Sequence, residues 1–249
     1  MQIYAQPYWC PKAGNSDVEY EDAFYPTHVI ETKTNGFRCA ISDGASETSF
    51  AKLWAKLLAK AIEDGRLNPE DPHSTLLKLR SCWQRIVSRK SLPWFAEEKA
   101  KLGAFSAILG FSLSQEPTER FWKAYAIGDC CLFHVRNNNL LKSFPLNHSS
   151  EFNNHPHLIS SLSTCDSNPS SEFKVVTGEW NFEDNFFLMS DALAGWFLQR
   201  YELGEAPWEL LQNLDTIDGP GDFRSWIATL RRGNLLKNDD VTLLYIRVS

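Results

Sequence analysis

Apolar and polar positions along the 249-residue chain follow two periods, one helical and one strand-like. Between Ser49 and Glu63, the residues Phe50, Leu53, Trp54, Leu57, Leu58, Ala61 and Ile62 recur at the three- and four-residue spacing that lines one face of a helix. Asp64, Gly65 and the Asn68-Pro69 step end that run. A second helix is expected from about Ser74 to Arg89, carried by Leu76, Leu77, Leu79, Trp83, Ile86 and Val87 and stopped before Leu92-Pro93. Two consecutive amphipathic helices of similar length need a flat apolar surface to pack on.

That surface is expected from the strand-like segments. They are His28–Thr34, Gly36–Ser42, Ala104–Ser112, Arg120–Ile127, Cys130–Arg136, Leu140–Phe144, Phe173–Thr177, Phe186–Ser190 and Val241–Val248. Short links between them imply mostly antiparallel pairing, and Arg136-Asn-Asn-Asn-Leu140 reads as a hairpin turn because Asn tolerates positive φ. Further helices are expected at Ala192–Tyr201, Pro207–Leu214 and Asp222–Arg232. This order is not a βαβ repetition. It predicts an α+β domain with antiparallel sheets in the middle and helices outside. The polar segment 147–172, rich in Ser, Asn, His and Pro, is expected to be a long loop or flap inside one domain spanning 1–249, because the strands after it complete the sheets.

Composition narrows the function. With 25 Lys+Arg against 31 Asp+Glu the formal net charge is −6, and no basic stripe is available to neutralise a row of phosphates. Nucleic acid and an anionic membrane surface are therefore not expected partners. The start, MQIYAQPYWCPKAG, has no apolar run, and no stretch of 18 uncharged apolar residues occurs, so a cytoplasmic location and no membrane span are expected. The six cysteines form no CxxC pair, and Cys39, Cys130 and Cys131 lie in apolar strand-like runs, which makes them buried thiols. His155 and His157 in NHPH have too few partners for zinc and read as solvated.

The chemistry lies in the placement of aspartates. Asp43 follows an apolar strand and precedes Gly44; Asp191 ends another strand and opens a helix; Asp129 follows Gly128 between two strands. Asp239 and Asp240 precede the last strand, and Glu21-Asp22 precede the aromatic segment around Phe24. Any one of these has a plain explanation as a cap or a turn. Together they place carboxylates at strand ends, and converging carboxylates repel unless cations sit among them. Hard divalent ions such as Mg²⁺ or Mn²⁺ prefer such oxygen donors.

In order, YEDAF (20–24), ISDGAS (41–46), GAFSAILGF (103–111), AIGDCCLFHVR (126–136), LNHSS (146–150), FFLMSDALAG (186–195) and NDDVTLLYI (238–246) resemble the successive motifs of the metal-dependent protein phosphatases, the type 2C Ser/Thr phosphatases. The likeness covers about residues 15–248. It implies a four-layer α-β-β-α sandwich with a binuclear Mn²⁺ or Mg²⁺ centre at one end, a water nucleophile in place of a catalytic side chain, and a phosphorylated protein, a kinase or a kinase target, as partner of a monomeric enzyme. By the same resemblance Asp22, Asp43, the carbonyl of Gly44, Asp191 and Asp239 are metal ligands, and Asp129 binds a third, weaker ion.

The chain departs from the pattern in places. Asp17 stands where these phosphatases usually carry a phosphate-binding Arg, and the nearest upstream cation, Lys12, is the candidate substitute. The later glycines of DGxGG are absent, SDG becomes Ser190-Asp191-Ala192, and GDS becomes Gly128-Asp129-Cys130. Every carboxylate is kept. The alternative reading is a catalytically weak relative that binds a phosphoprotein without hydrolysing it.

Overall fold

The last strand shows how the layers arise. In Val241–Val248, the side chains of Val241, Leu243 and Tyr245 join one buried cluster while Leu244, Ile246 and Val248 join another, as the two-residue period of a strand dictates. A computed structural model of the chain describes residues 1–45, 50–91, 94–117, 119–152, 156–162, 172–216 and 221–249. Its strands are β1 (Gln2–Cys10), β2 (Ala23–Tyr25), β3 (Ile30–Lys33), β4 (Gly36–Gly44), β5 (Phe105–Gln115), β6 (Arg120–Ile127), β7 (Cys131–Arg136), β8 (Asn139–Phe144), β9 (Ile159–Ser160), β10 (Lys174–Glu179), β11 (Asn185–Met189) and β12 (Val241–Val248). Its helices are α1 (Ala51–Glu63), α2 (His73–Val87), α3 (Trp94–Lys101), α4 (Asp191–Glu202), α5 (Pro207–Gln212) and α6 (Phe223–Arg232).

One sheet runs β3-β1-β12-β11-β7-β8 and the other β10-β6-β5-β4-β2, with β9 on the start of β5. All pairings are antiparallel. Ile3, Ile41, Leu109, Phe111, Phe186, Leu188 and Leu244 fill the space between the sheets. Outside the first sheet, α4, α5 and α6 pack Leu193, Phe197, Trp208 and Ile227 against Phe133, Phe187 and Leu243. Outside the second, α1 and α2 bring Trp54, Leu58, Leu76 and Trp83 onto Ile108 and Ile127. The result is the expected α-β-β-α sandwich.

Most expected elements occur within two or three residues of their expected ends. The hairpin between β7 and β8 turns through Asn137 (φ 50°) and Asn138 (φ 58°), as its Asn run predicts. Cys39, Cys130 and Cys131 are buried free thiols. Four elements were not expected: β1, β2, α3 and β9, the last lying inside the segment 147–172 expected to be a loop and pairing with the start of β5. β2 and α3 are short, whereas β1 pairs with β12 along eight positions. β1 is half-buried over Gln6–Trp9 and contains Pro7, so its apolar period is blurred. Pro7 is tolerated because β3 covers only Gln2–Ala5, leaving the Pro7 side of the strand without a neighbour to bond. Within 147–172, residues 153–155 and 163–171, with His155 and Cys165, lie outside the described residues. Among the described residues no helix is long and apolar enough to cross a membrane.

At the end of the sandwich where β11 begins, Asp184 is fully buried. Arg136 grips both its oxygens (Nε to Oδ1 2.7 Å, Nη2 to Oδ2 2.8 Å), and the His134 ring and the Asn181 amide also reach Oδ2, at 2.9 and 2.8 Å. Burial alone would raise the Asp184 carboxyl, but the Arg136 and His134 hydrogen bonds outweigh it and bring it from 3.8 down to about 2. A lowered folded value means that the contribution is complete above the unfolded value and disappears as pH falls through the folded one. We predict a loss on the order of 2 kcal/mol of stability between about pH 5 and pH 2 from this group. Asp184→Ala should cost about 2–3 kcal/mol at pH 7, since Arg136 remains partly hydrated, and should flatten that acid limb. Urea melts over this pH range check both; an unchanged limb in the variant rules the assignment out.

Candidate metal centre

Antiparallel pairing brings strand ends from both sheets to one edge of the sandwich. Gly44 at the end of β4 faces Ser106 at the start of β5, and Ala23 at the start of β2 faces Ser42. In the other sheet Met189, ending β11, lies between Leu243 near the start of β12 and Cys131 at the start of β7. The aspartates of interest sit at these ends: Asp22 before β2, Asp43 in β4, Asp129 in the β6–β7 turn, Asp191 opening α4, and Asp239 before β12.

Local chemistry fixes each one. The carbonyl oxygen of Asp43 accepts a 2.6 Å hydrogen bond from Ser106 Oγ, which also meets Ser42 Oγ at 2.8 Å. A Cβ on Gly44 would stand 2.7 Å from Glu21 O and 3.1 Å from Ala51, so only glycine lets the β4 end lie this close to the Asp22 segment and α1. Gly128 has φ 95°, and a Cβ there would come within 2.5 Å of Ala107 Cβ. Asp191 Oδ1 accepts from the Ala192 amide at 2.6 Å. Asp22 is buried; Thr242 Oγ1 donates to its Oδ2 at 2.5 Å, while its buried Oδ1 has no hydrogen-bond partner.

The carboxylates sense one another. Burial first, then the charges of Asp22, Asp191, Asp129 and Asp239, hold the Asp43 carboxyl well above the usual range. Burial, opposed by the Thr242 hydrogen bond and reinforced by Asp240 and Asp191, does the same to Asp22. Asp129 is pushed up to about 7 by burial and by Asp191. These are the signs of a cluster short of cations.

One cation of the chain partly meets the need. Lys237 Nζ donates to Asp191 Oδ2 at 2.8 Å and to Asp239 Oδ2 at 2.9 Å. Partial burial pulls its pKa down, but the two carboxylates outweigh that and hold it above the ordinary lysine value. As the side chains stand, no three Asp, Glu, His or Cys among the described residues are arranged to hold a metal ion. Lys237 thus joins Asp191 to Asp239 across the edge. The donors nonetheless fit hard divalent ions: all are oxygens, one is a buried carboxylate oxygen without a hydrogen bond, and an ammonium already stands in for a cation.

Asp239 and Asp240 divide their work. Asp240 is buried, and its oxygens accept from the backbone amides of Lys12 (2.8 Å) and Glu21 (2.6 Å), so it ties the segment after β1 to the β12 entry. Asp239 is the partner of Lys237. Lys12 therefore stands at the rim through its amide. Asp17 forms a two-point ion pair with Arg224 at 2.9 and 3.2 Å, and Arg224 lies over the Trp9 ring at 4.4 Å. Lys237 is not among the residues expected from the sequence, although it stands two positions before Asp239.

The family model described as Protein phosphatase 2C matches residues 15–229. No curated protein sequence matches significantly. Among solved structures, the whole chain superposes on 96% of RsbX crystallised with magnesium, at 19% identity and a TM-score of 0.53. It also superposes over its full length on all of the Mycobacterium tuberculosis serine/threonine phosphatase PstP/Ppp (12%, TM-score 0.58). The photosystem II phosphatase PBCP is similar over 99% of both chains (16%, TM-score 0.54). These likenesses show the fold, and with the sequence match over most of the length they lead to one conclusion: the chain belongs to the protein phosphatase 2C family of metal-dependent Ser/Thr protein phosphatases.

Proposed function

We propose that residues 1–249 form one catalytic domain that removes phosphate from phosphoserine and phosphothreonine in a protein, a kinase or a kinase target, using two divalent ions. The observation that carries this reading is the placing of Asp22, Asp43, Asp129, Asp191 and Asp239 at one sandwich edge, with the Lys237 ammonium on Asp191 and Asp239. Asp22, Asp43, the Gly44 carbonyl, Asp191 and Asp239 would hold Mn²⁺ or Mg²⁺, and Asp129, in the β6–β7 turn, a third ion. When bound, such a pair generates the attacking hydroxide from water and neutralises the phosphoryl oxygens during in-line displacement.

The chain itself orients and holds. Ser42 and Ser106 fix the Asp43 backbone, Thr242 orients Asp22, and Asp240 locks the Asp22 and Lys12 segments onto the β12 entry. Lys237, whose ammonium reaches the carboxylate edge from the segment before β12, is assigned the substrate phosphoryl oxygens. Lys12, the upstream candidate, is tied to the same rim by its amide. Little covalent work then falls to the protein, and positioning with charge neutralisation supplies the rate. We further read the enzyme as a monomer acting in the cytoplasm, and the charge of −6 without a basic stripe speaks against a nucleic-acid partner.

Two outcomes follow. Millimolar Mn²⁺ should raise the Tm of the wild type, and Asp43→Asn should lose most of that shift; no shift in the wild type would remove the metal centre. Hydrolysis of p-nitrophenyl phosphate and of phosphoserine peptides should require the ion and fall at least about 100-fold in Asp43→Asn and Asp191→Asn.

The two lysines are separated by KM. Lys237→Ala should raise KM for a phosphomonoester about 10-fold through loss of a charge-assisted hydrogen bond, with kcat less affected. An increase in Lys12→Ala with none in Lys237→Ala would reverse the assignment.

A further inference from the structure

A groove of about 530 Å³ adjoins the candidate centre, where Asp191 and Lys237 line its mouth, and lies between α4 and the segment that follows α6, with Phe152 also in its lining. Asp191, Gly195 and Gln199 succeed one another at four-residue intervals along α4 and all line it, so one helix face forms the wall. The middle of that face is a glycine. Its φ lies outside the left-handed region, and a Cβ built on it would meet only Phe152 ring carbons at 3.8 and 3.9 Å, an ordinary contact. Neither backbone conformation nor packing therefore requires glycine at 195, although it is the poorest helix former after proline. What its missing side chain provides is open space beside the catalytic edge.

The rest of the lining suits a polypeptide. Leu235, 44% exposed, and Phe152 offer apolar surface, and Lys237 and Arg231 supply positive charge near the mouth. A guest that carries an anionic group beside an apolar side chain matches this set. The volume lies within the usual range for ligand sites.

We infer that this groove receives the polypeptide segment adjoining the phosphorylated residue, with an apolar side chain of that segment against Phe152 and Leu235, and that Gly195 is kept small to admit it. The inference rests on the phosphatase reading of the carboxylate edge, which sets where the phosphoryl group lies. A small aryl phosphate has no such segment and reacts without the groove.

The test compares p-nitrophenyl phosphate with phosphoserine nonapeptides carrying Leu or Asp at each flanking position, using the metal-loaded full chain. Gly195→Gln, a good helix former that fills the groove, should lower kcat/KM for the Leu-bearing peptides at least 10-fold, chiefly through KM, and leave p-nitrophenyl phosphate within twofold. Leu235→Glu, on an exposed side chain, should act the same way, so a folding defect in one variant leaves the other to decide. Gly195→Ala should keep both activities and raise Tm. Fluorescence anisotropy of the unphosphorylated Leu-bearing peptide should show binding weakened in parallel. An unchanged peptide-to-aryl-phosphate ratio in both variants overturns the groove assignment, whereas a wild type without Mn²⁺-dependent aryl phosphate hydrolysis overturns the phosphatase reading instead.

Discussion

Repulsion among buried carboxylates is the constraint on which this structure turns. Asp22 and Asp43 are each held far from the usual carboxylate range, by burial and by neighbours of like charge. A fold selected for stability alone would place apolar groups or paired charges at these positions. The sandwich tolerates them because its two inner faces and its two helical faces are built from large, fully buried residues such as Trp54, Phe111, Phe186 and Phe197. Each such burial contributes roughly 1.5–3 kcal/mol, enough in sum to carry one electrostatically unfavourable edge.

The edge is also where backbone geometry is least replaceable. Gly44 and Gly128 allow main-chain approaches that any side chain would block. Ser42 and Ser106 hold the β4 end from within the second sheet, and Thr242 reaches across from the first. Hydroxyls suit this task because each can donate to a carboxylate or carbonyl oxygen without adding charge to the cluster. The opposite edge solves a similar problem differently. There a single buried carboxylate, Asp184, is satisfied by Arg136, His134 and a backbone amide, and its pKa falls instead of rising. Two ends of one sandwich thus treat buried aspartate in opposite ways, one with partners supplied by the chain and the other with partners left to be supplied.

Much of this was legible in the sequence because it is local. β6 and β12 have the boundaries their apolar runs suggest, and the Asn137-Asn138 turn follows from side-chain tolerance of positive φ. The aspartates were visible because each ends or opens an apolar strand. β1 was not, since Gln6 and Pro7 interrupt its period and its burial comes from β12, more than two hundred residues away. Lys237 was not legible for a related reason: nothing local says that Asp191 lies beside Asp239, and only that pairing gives the ammonium two carboxylates. Gly195 reads in sequence as a weak point in a helix, and its meaning depends on how far Phe152 stands from it.

The reversal of charge at Asp17 fits the same electrostatic logic. An arginine there would add a cation on the N-terminal side of the edge. The chain instead carries an aspartate that pairs with Arg224, which in turn stacks on Trp9 of β1. Arg224 belongs to α6, so this ion pair ties the N-terminal loop to the helical layer over the first sheet. Positive charge near the carboxylates then comes from the C-terminal side, where α6 ends and leads through Lys237 into β12. Arg231 joins the two halves, donating to Pro11 O and to the Asp239 carbonyl. Placing the cation on the C-terminal side leaves the carboxylates where the fold requires them and puts the Lys237 ammonium beside the α4 groove, whose lining it shares with Asp191.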